Sequence, residues 1–202
     1  MAYLAAVALG YLLGSSNMTF YLAKLKNVDT SRGSGNLGTS NAMILMGWGA
    51  AVLVFIHDAG KAALAVLLAR WLFPGAPLVG AVAGVAAVWG HIFPFYLKFK
   101  GGKGFAAYLG MTLALNWKLA LVIGVLVVVI MLVTDYLVLG TFTTVVTVPA
   151  AMGFLEHSWP VVLVLLAATA VILFKHRENV TRLRNGTEIG FRSANRGDHR
   201  QK

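Results

Sequence analysis

The stretch LVGAVAGVAAVWGHIFPFYLKFKGGKG, from Leu78 to Gly104, decides the fold class. Its first part, Leu78–Leu97, is apolar over the length that an α-helix needs to cross about 30 Å of hydrocarbon. Three lysines and three glycines follow at once. The pattern predicts a membrane helix that ends in a segment we call the Gly-Lys loop (Phe99–Gly104).

The composition of the whole chain extends this prediction. The 202 residues are 58% hydrophobic and 12% charged, whereas soluble domains are about 25% charged. The formal charge of +10 comes from basic residues that flank the apolar runs and crowd the C-terminus. Binding to anionic lipid and membrane orientation explain this charge, so no nucleic-acid partner is predicted. The absence of cysteine excludes disulfides and thioester chemistry.

Further apolar runs predict an all-α polytopic bundle of about seven transmembrane helices. The chain is expected to be a single domain, residues 1–202, with a basic tail at about 190–202. The runs other than Leu78–Leu97 are Ala2–Leu22, Ala42–Phe73 (with a break near Gly47 and Gly49), Phe105–Leu115, Leu119–Val133, Leu137–Leu155 and Trp159–Phe174.

The charges flanking these runs predict the orientation. An outside N-terminus places nearly all lysines and arginines, including Lys24, Lys103 and the tail from Lys175, on the cytoplasmic side. The N-terminus has no basic residue before its first apolar run, so we interpret that run as a retained span. Four polar segments then meet at the cytoplasmic face, where the C-terminus also lies.

The Gly-Lys loop has two interpretations. Glycine backbone allows an oxyanion to approach N–H groups closely, while Lys103 and the helix beginning after Gly104 add positive charge. This predicts a phosphate site. The alternative is a glycine-kinked loop whose lysines hold it on the cytoplasmic side. It is not a Walker A loop, because Phe105 stands where Ser or Thr is expected.

A second polar segment, Gly33–Asn41, reads GSGNLGTSN. It contains more hydrogen-bonding residues than a turn between helices needs, which favours binding. Alternatively, Ser40 or Asn41 caps the following helix.

Ionisable residues also lie within the apolar runs. Asp58 and Lys61 are three positions apart on one helical face, which predicts a structural ion pair, although Lys61 is also a candidate for binding an anion. For His91 we expect a packed, hydrogen-bonding role.

The last polar segment, HRENVTRLRNGTE from His176 to Glu188, continues from the final span. Helical spacing places His176, Asn179 and Leu183 on one face, and directs Arg177 and Glu178 elsewhere. A basic juxtamembrane helix that binds lipid headgroups is the alternative.

Together, SGNLGTSN, GHIFPFYLKFKGGKG and HRENVTRLRNGTE resemble, in order and spacing, the three motifs of the bacterial acyl-phosphate glycerol-3-phosphate acyltransferase family, the PlsY family. The resemblance implies a seven-helix enzyme of the bacterial inner membrane, with a cytoplasm-facing site. It implies acyl transfer from acyl phosphate to the 1-hydroxyl of glycerol 3-phosphate in phospholipid synthesis. No cofactor and no metal are expected. The expected partners are the two substrates and membrane lipids.

The resemblance also implies roles for individual residues. The catalytic residues would be Ser34, Lys103, His176 and Asn179. The substrate-binding residues would be Ser34, Gly35, Asn36, Gly38, Ser40, Asn41, Lys61, Lys100, Gly101, Gly102, Lys103, Gly104, Thr141 and Arg177. Structural roles would fall to Asp58, His91, Glu178, Arg182 and Glu188.

One stretch departs from the family pattern. Family members commonly carry an arginine soon after the first motif, but Ala42–Trp48 contains no charge. The loss of a bidentate phosphate clamp predicts one of three outcomes: weaker binding of the acceptor, binding by Lys61 or Arg177 instead, or a paralogue with another acceptor. A small transporter of anions or lipid phosphates and a non-catalytic scaffold are the other functional alternatives.

Overall fold

The structure is a computed structural model that describes residues 1–192, within which every regular element is helical. Most of the predicted basic tail, residues 193–202, lies outside the described residues. The helices are α1 (Ala2–Ser15), α2 (Met18–Lys26), α3 (Thr39–Met46), α4 (Trp48–Leu72), α5 (Val79–Ile92), α6 (Phe105–Leu115), α7 (Trp117–Thr134), α8 (Leu137–Phe154), α9 (Trp159–Lys175) and α10 (Arg177–Arg184).

Several helices have the length and composition of membrane spans. Both conditions are met by four segments: α4, α7, α8, and α5 taken together with the 3-10 turn that follows it (Phe95–Leu97). Helices α9 and α10, which meet at a bend of 48°, form a fifth candidate, and α6 is apolar but shorter. Much of α7 presents leucine and valine to the surroundings. A surface of this kind requires lipid around it, so the chain is an all-helical membrane protein.

The N-terminal apolar run differs from its prediction. Instead of one helix over Ala2–Leu22, the chain forms α1 and α2, with a break at Ser16 and Asn17. Asn17 is extended and caps α2, because its side chain accepts the Phe20 N–H at 2.9 Å. The break leaves the Ser16 carbonyl free to accept the Lys61 Nζ at 2.6 Å. A buried cation therefore stabilises the interruption.

Two other breaks between helices lie next to the predicted binding motifs. The predicted break at Gly47 is present: this residue has φ 83°, and α3 ends and α4 begins around it. Helix α5 ends at Ile92, before Pro94, whose missing N–H cannot continue a helix. The predicted span to Leu97 is therefore a helix followed by a separate 3-10 turn.

Small residues bring the helices into close contact. Helix α1 packs most extensively on α5. A Cβ on Gly10 would lie 2.1 Å from the Ala83 carbonyl, and one on Gly14 would lie 2.1 Å from the Ala87 carbonyl. Glycine at these positions allows the two backbones to touch, as is common between membrane helices.

Hydrogen bonds between connections show which loops share one end of the bundle. The Leu37 N–H donates to the Gly101 carbonyl at 3.3 Å, so the first polar loop along the chain (Gly33–Asn41) meets the Gly-Lys loop. The Phe191 N–H donates to the Asp135 carbonyl at 2.7 Å, so the segment after α10 meets the α7–α8 turn. Loops from distant parts of the sequence, including two of the predicted motifs, therefore lie at one end of the helical bundle.

The opposite end is closed by different contacts. The Asn116 side chain donates to the Glu156 carboxylate, which joins the α6–α7 and α8–α9 connections. Arg70, near the end of α4, donates to the Ala114 carbonyl at 2.8 Å. The two ends of the bundle are therefore distinct in composition, and the predicted binding motifs lie at the first.

Candidate active site

The Gly-Lys loop turns back onto the end of α5. Lys98 and Phe99 adopt left-handed backbone conformations, with φ values of 52° and 59°. The Gly101 N–H then donates to the Ile92 carbonyl at 3.1 Å, and the Gly102 N–H to the His91 carbonyl at 3.2 Å. The prediction that these glycine N–H groups face an oxyanion is therefore wrong in this structure, because both bond to α5.

Glycine is required in the loop for another reason. A Cβ on Gly101 would lie 2.0 Å from the His91 carbonyl oxygen, and one on Gly102 would lie 2.1 Å from the His91 ring Nε2. Gly104 has φ 96° and begins α6 where a side chain would meet Ile92 and Ile172. The glycines thus allow close packing of the loop that places Lys103.

Lys103 reaches across to the third motif. Its Nζ donates to the Asn179 Oδ1 at 2.6 Å. Burial lowers the pKa of Lys103 to about 8; the nearby charge of Arg182 acts in the same direction, and Glu188 opposes it. The ammonium is therefore held in a partly dry site, where its field is stronger than in water.

The other end of Asn179 is fixed by Glu188. The Asn179 Nδ2 donates to the Glu188 Oε1 at 2.6 Å, and the Arg182 Nε donates to the Glu188 Oε2 at 2.7 Å. The Glu188 carboxylate thus orients two side chains of α10, Asn179 and Arg182. The closeness of Arg182 to Lys103 was not predicted, since only the tertiary fold brings these cations together.

His176 lies at the junction of α9 and α10 and is buried. Its Nδ1 is 2.8 Å from the Ile172 carbonyl, which assigns the ring proton to Nδ1 and leaves Nε2 as an acceptor. Burial, together with the charges of Lys103 and Arg182, lowers the pKa of His176 to about 4, while the hydrogen bond to Ile172 opposes the shift. The imidazole is therefore neutral at physiological pH.

The first polar loop is shaped by its two asparagines. Asn41 is fully buried; its Oδ1 accepts the Ser34 N–H at 2.8 Å, and its Nδ2 donates to the carbonyls of Thr30 and Asn36. The Asn36 Nδ2 donates to the Ser34 Oγ at 2.9 Å, and its Oδ1 accepts the Gly38 N–H. Both asparagines thus hold the loop in shape and orient the Ser34 hydroxyl.

The remaining predicted residues of this loop lie around the start of α3. Gly38 is the N-cap of α3, with a carbon at its Cβ position 3.9 Å from the Gly102 Cα. Ser40 is exposed in the first turn of α3, and Gly35 is exposed with φ 66°. The N-terminus of α3 therefore faces the Gly-Lys loop.

Three further predicted binding residues differ in their exposure. Lys100 is exposed. The Arg177 guanidinium lies 4.4 Å from the Phe174 ring centroid and donates to the Phe174 carbonyl, on an exposed surface. Thr141 is buried in α8, next to Phe142, whose ring makes an edge contact with His176.

Asp58 and Lys61 form the predicted ion pair, at 2.8 Å. The Lys61 Nζ also donates to the Ser16 carbonyl at 2.6 Å and lies 3.0 Å from the His91 Nδ1. The three hydrogens of the ammonium are thus used within the protein. His57 contacts the same Asp58 oxygen, Oδ1, at 3.2 Å, which adds a fifth polar group.

A segment not predicted from the sequence lies beside the site. We call Ile189–Arg192 the C-terminal strap. The Arg192 N–H donates to the Asp135 Oδ1 at 2.8 Å, and the Phe191 ring packs edge-on against Trp48, at 5.4 Å between centroids. The strap therefore connects Glu188 to the α7–α8 turn and to the start of α4.

Among residues 1–192, no group of three or more His, Asp or Glu side chains is arranged to bind a metal ion. The groups gathered at the site are the Lys103 ammonium, the nearby Arg182 guanidinium, hydroxyl and amide groups, and a neutral imidazole. Such a set binds phosphates and stabilises developing negative charge.

Comparison with known proteins identifies the family. The profile of the family described as glycerol-3-phosphate acyltransferase matches residues 4–186. The chain belongs to the glycerol-3-phosphate acyltransferase family. A member of this family from Mesorhizobium japonicum is 39% identical over 91% of this chain and 93% of its own length. One from Coxiella burnetii is 36% identical over 93% and 97%, respectively.

Solved members of the glycerol-3-phosphate acyltransferase family share the fold. The crystal structure of PlsY, an integral membrane glycerol 3-phosphate acyltransferase, in its glycerol 3-phosphate form superimposes with a TM-score of 0.89. It is 34% identical and covers 96% of this chain and 97% of that one. The lysophosphatidic acid form gives a TM-score of 0.87. The chain is thus a membrane acyltransferase of this family.

Proposed function

We propose that this protein transfers a fatty acyl group from acyl phosphate to the 1-hydroxyl of glycerol 3-phosphate, giving lysophosphatidate. The observation that carries the proposal is the 2.6 Å contact between the Lys103 ammonium and Asn179, where the Gly-Lys loop meets α10. The first loop joins the same junction through Leu37 and Gly101. Family membership and the solved PlsY forms support the same reaction.

The proposed topology has seven membrane helices, α1 and α4–α9, in a bacterial inner membrane. With the N-terminus outside, these helices alternate so that the end carrying the Gly-Lys loop, α10 and the C-terminus is cytoplasmic. The positive-inside rule supports this orientation. The contact of the α7–α8 turn with Phe191 supports it as well, since both segments then lie on the same side.

Lys103 is the proposed anchor for the substrate phosphates. Its ammonium neutralises a phosphoryl group, and the Arg182 charge raises the positive potential further. The N-terminus of α3 offers backbone N–H groups at Thr39 and Ser40, without a side-chain cap. Gly101, Gly102 and Gly104 contribute by close packing that brings Lys103 to the site.

The reaction is a direct displacement. The acceptor oxygen attacks the carbonyl carbon of acyl phosphate and forms the ester C–O bond. The bond from that carbon to the bridging phosphate oxygen breaks, and inorganic phosphate leaves. The phosphate is already a good leaving group, so no covalent enzyme intermediate is needed. Holding two phosphates side by side supplies proximity, and Lys103 stabilises the charge that develops on the leaving group.

Two acceptors are available for the hydroxyl proton: His176 and a substrate phosphate. The His176 Nε2 is an acceptor, but its pKa of about 4 makes it a weak base. A phosphate monoester has a second pKa of about 6 and is the stronger base. Transfer to the substrate phosphate is therefore the favoured route, with His176 and Ser34 orienting the hydroxyl.

The uncharged Ala42–Trp48 stretch favours a second candidate, a paralogue that acylates another acceptor. Neither residue considered as a substitute for the family arginine is placed for that role. Lys61 already donates to three groups, and Arg177 packs on Phe174. The acceptor phosphate is therefore bound without a guanidinium in the place of the family arginine.

The test is incubation of purified protein with acyl phosphate and glycerol 3-phosphate. Lysophosphatidate and inorganic phosphate should form in equal amounts, and Lys103→Ala should abolish both while leaving a folded protein. Lys100→Ala is the matched control, since Lys100 is exposed in the same loop. Acyl phosphate consumption only with a different acceptor supports the paralogue. Full activity of Lys103→Ala would overturn the proposed site.

A further inference from the structure

The His91 side chain lies directly beneath the Gly-Lys loop. Its carbonyl accepts the Gly102 N–H at 3.2 Å. Its ring occupies the space where a side chain on Gly102 would begin, with Nε2 at 2.1 Å and Cε1 at 2.7 Å from that Cβ position. His91 is only 2% exposed, so the ring is enclosed by the protein.

The ring is held from the other side by Lys61. The Lys61 Nζ is 3.0 Å from the His91 Nδ1 and is itself fixed by Asp58 and by the Ser16 carbonyl. The same Nδ1 lies 3.4 Å from the Asp58 Oδ1, so an ammonium and a carboxylate both hold this side of the ring. The loop therefore rests on a ring that is tied to α4 and to the α1–α2 break.

We propose that His91 is a positioning residue. Its ring, fixed by Lys61 and Asp58, determines how closely the Gly-Lys loop approaches the end of α5. This inference rests on the proposed function, because the loop carries Lys103. Gly102 immediately precedes Lys103 in the chain. A shift of Gly102 moves the ammonium relative to Asn179 and to the phosphates it holds.

The tight contact between His91 and Gly102 provides a specific test. Gly102→Ala places a methyl group against the ring and should lower kcat/KM by about 100-fold, the size expected for misplacement by about 1 Å. His91→Ala removes the ring that this methyl group would meet, and by itself lowers kcat/KM. In that background, Gly102→Ala should cost less than about threefold, because the two changes act through one contact.

Gly101→Ala is the matched control. Its Cβ would meet the His91 carbonyl oxygen at 2.0 Å and the Pro94 Cδ at 2.7 Å, neither of which belongs to the imidazole. His91→Ala should therefore leave the full cost of Gly101→Ala in place. If His91→Ala rescued both glycine variants equally, or neither, the positioning role would be overturned.

A second measurement separates this inference from the proposed function. Unfolding midpoints in detergent should show the same pattern: Gly102→Ala lowers the midpoint in the parent protein and leaves it nearly unchanged in His91→Ala. Failure of the parent protein to make lysophosphatidate would reject the proposed function. Additive losses in the unfolding midpoint would reject the contact between His91 and the loop.

Discussion

The amide of Asn179 is oriented by the carboxylate of Glu188, to which it donates at 2.6 Å. The opposite atom of the amide, Oδ1, then faces the Lys103 ammonium, also at 2.6 Å. Glu188 touches no part of the Gly-Lys loop in these contacts, yet it determines which atom of Asn179 that loop meets. The substrate binding proposed for Lys103 therefore depends on a carboxylate that acts through Asn179.

Loss of this carboxylate should weaken the site and the fold together. We expect Glu188→Ala to lower kcat/KM by about 10-fold to 100-fold and the free energy of unfolding by about 2 kcal/mol, since two hydrogen bonds to a charged group are lost. Glu188→Gln should cost less, because an amide oxygen still accepts from Asn179. Activity assays and denaturant unfolding check both values.

Glu178 is the control for this comparison. It lies 3.9 Å from the same Arg182, but its side chain is 66% exposed, against 9% for Glu188. Glu178→Ala should therefore change stability by less than about 1 kcal/mol, as is usual for exposed ion pairs. Equal losses in the two variants would contradict the orienting role of Glu188.

Alkaline pH should weaken substrate capture. The pKa of Lys103 is lowered to about 8, so the ammonium is present below this pH and is lost as the pH rises through it. We expect kcat/KM to fall about tenfold per pH unit above 8, since this parameter reports ionisations of the free enzyme. Initial rates at low substrate concentration measure it.

Lys103→Arg checks that this alkaline limb belongs to Lys103. A guanidinium stays charged to about pH 12, so the limb should disappear in whatever activity the variant retains. A limb near pH 8 that persists in Lys103→Arg would assign the ionisation to another group.

The acid limb of kcat should distinguish the two proton acceptors. If a substrate phosphate takes the proton, kcat should decline below about pH 6, and the decline should persist in His176→Asn at a reduced rate. If His176 takes it, the limb should lie near its pKa of about 4 and vanish in that variant. We expect the first result, measured at saturating concentrations of both substrates.

A guanidinium restored on α3 should strengthen acceptor binding. Ile44 lies one turn after Asn41, and its Cγ2 is 3.1 Å from the Cβ position of Gly33, so this face of α3 is turned toward the first loop. Ile44→Arg should lower the KM for glycerol 3-phosphate by about tenfold, the value of one bond between charged groups. Met46→Arg, on a different face, is the control and should leave KM unchanged.

Much of the architecture could be predicted from the sequence, because hydrocarbon solvent imposes strong rules. Apolar length and flanking lysines indicated helices that closely match α6, α7, α8 and α9. The break between α1 and α2 was missed, since Ser16 and Asn17 are compatible with helix by composition. The break is stabilised by Lys61 from a distant helix, which periodicity cannot reveal.

For the candidate site, contacts between predicted side chains were easier to anticipate than the path of the backbone. Lys103 and Asn179 do meet, and Asp58 pairs with Lys61 as expected. The N–H groups of Gly101 and Gly102 instead bond to α5, because a loop that follows a broken helix can satisfy the carbonyls of that helix's end. Such hydrogen bonding depends on the path of the backbone, so it cannot be predicted from the residue types.

The C-terminal strap has a practical consequence for protein engineering. Gly190 packs so closely on the Asp135 carboxylate that a Cβ there would lie 2.1 Å from its Oδ2, and the anchoring of Phe191 and Arg192 is only a few residues from Glu188. A deletion that stops at Arg192 preserves this anchorage, whereas one that removes Gly190–Arg192 detaches Glu188 from α7. Variants made for crystallisation should therefore be trimmed no further than Arg192.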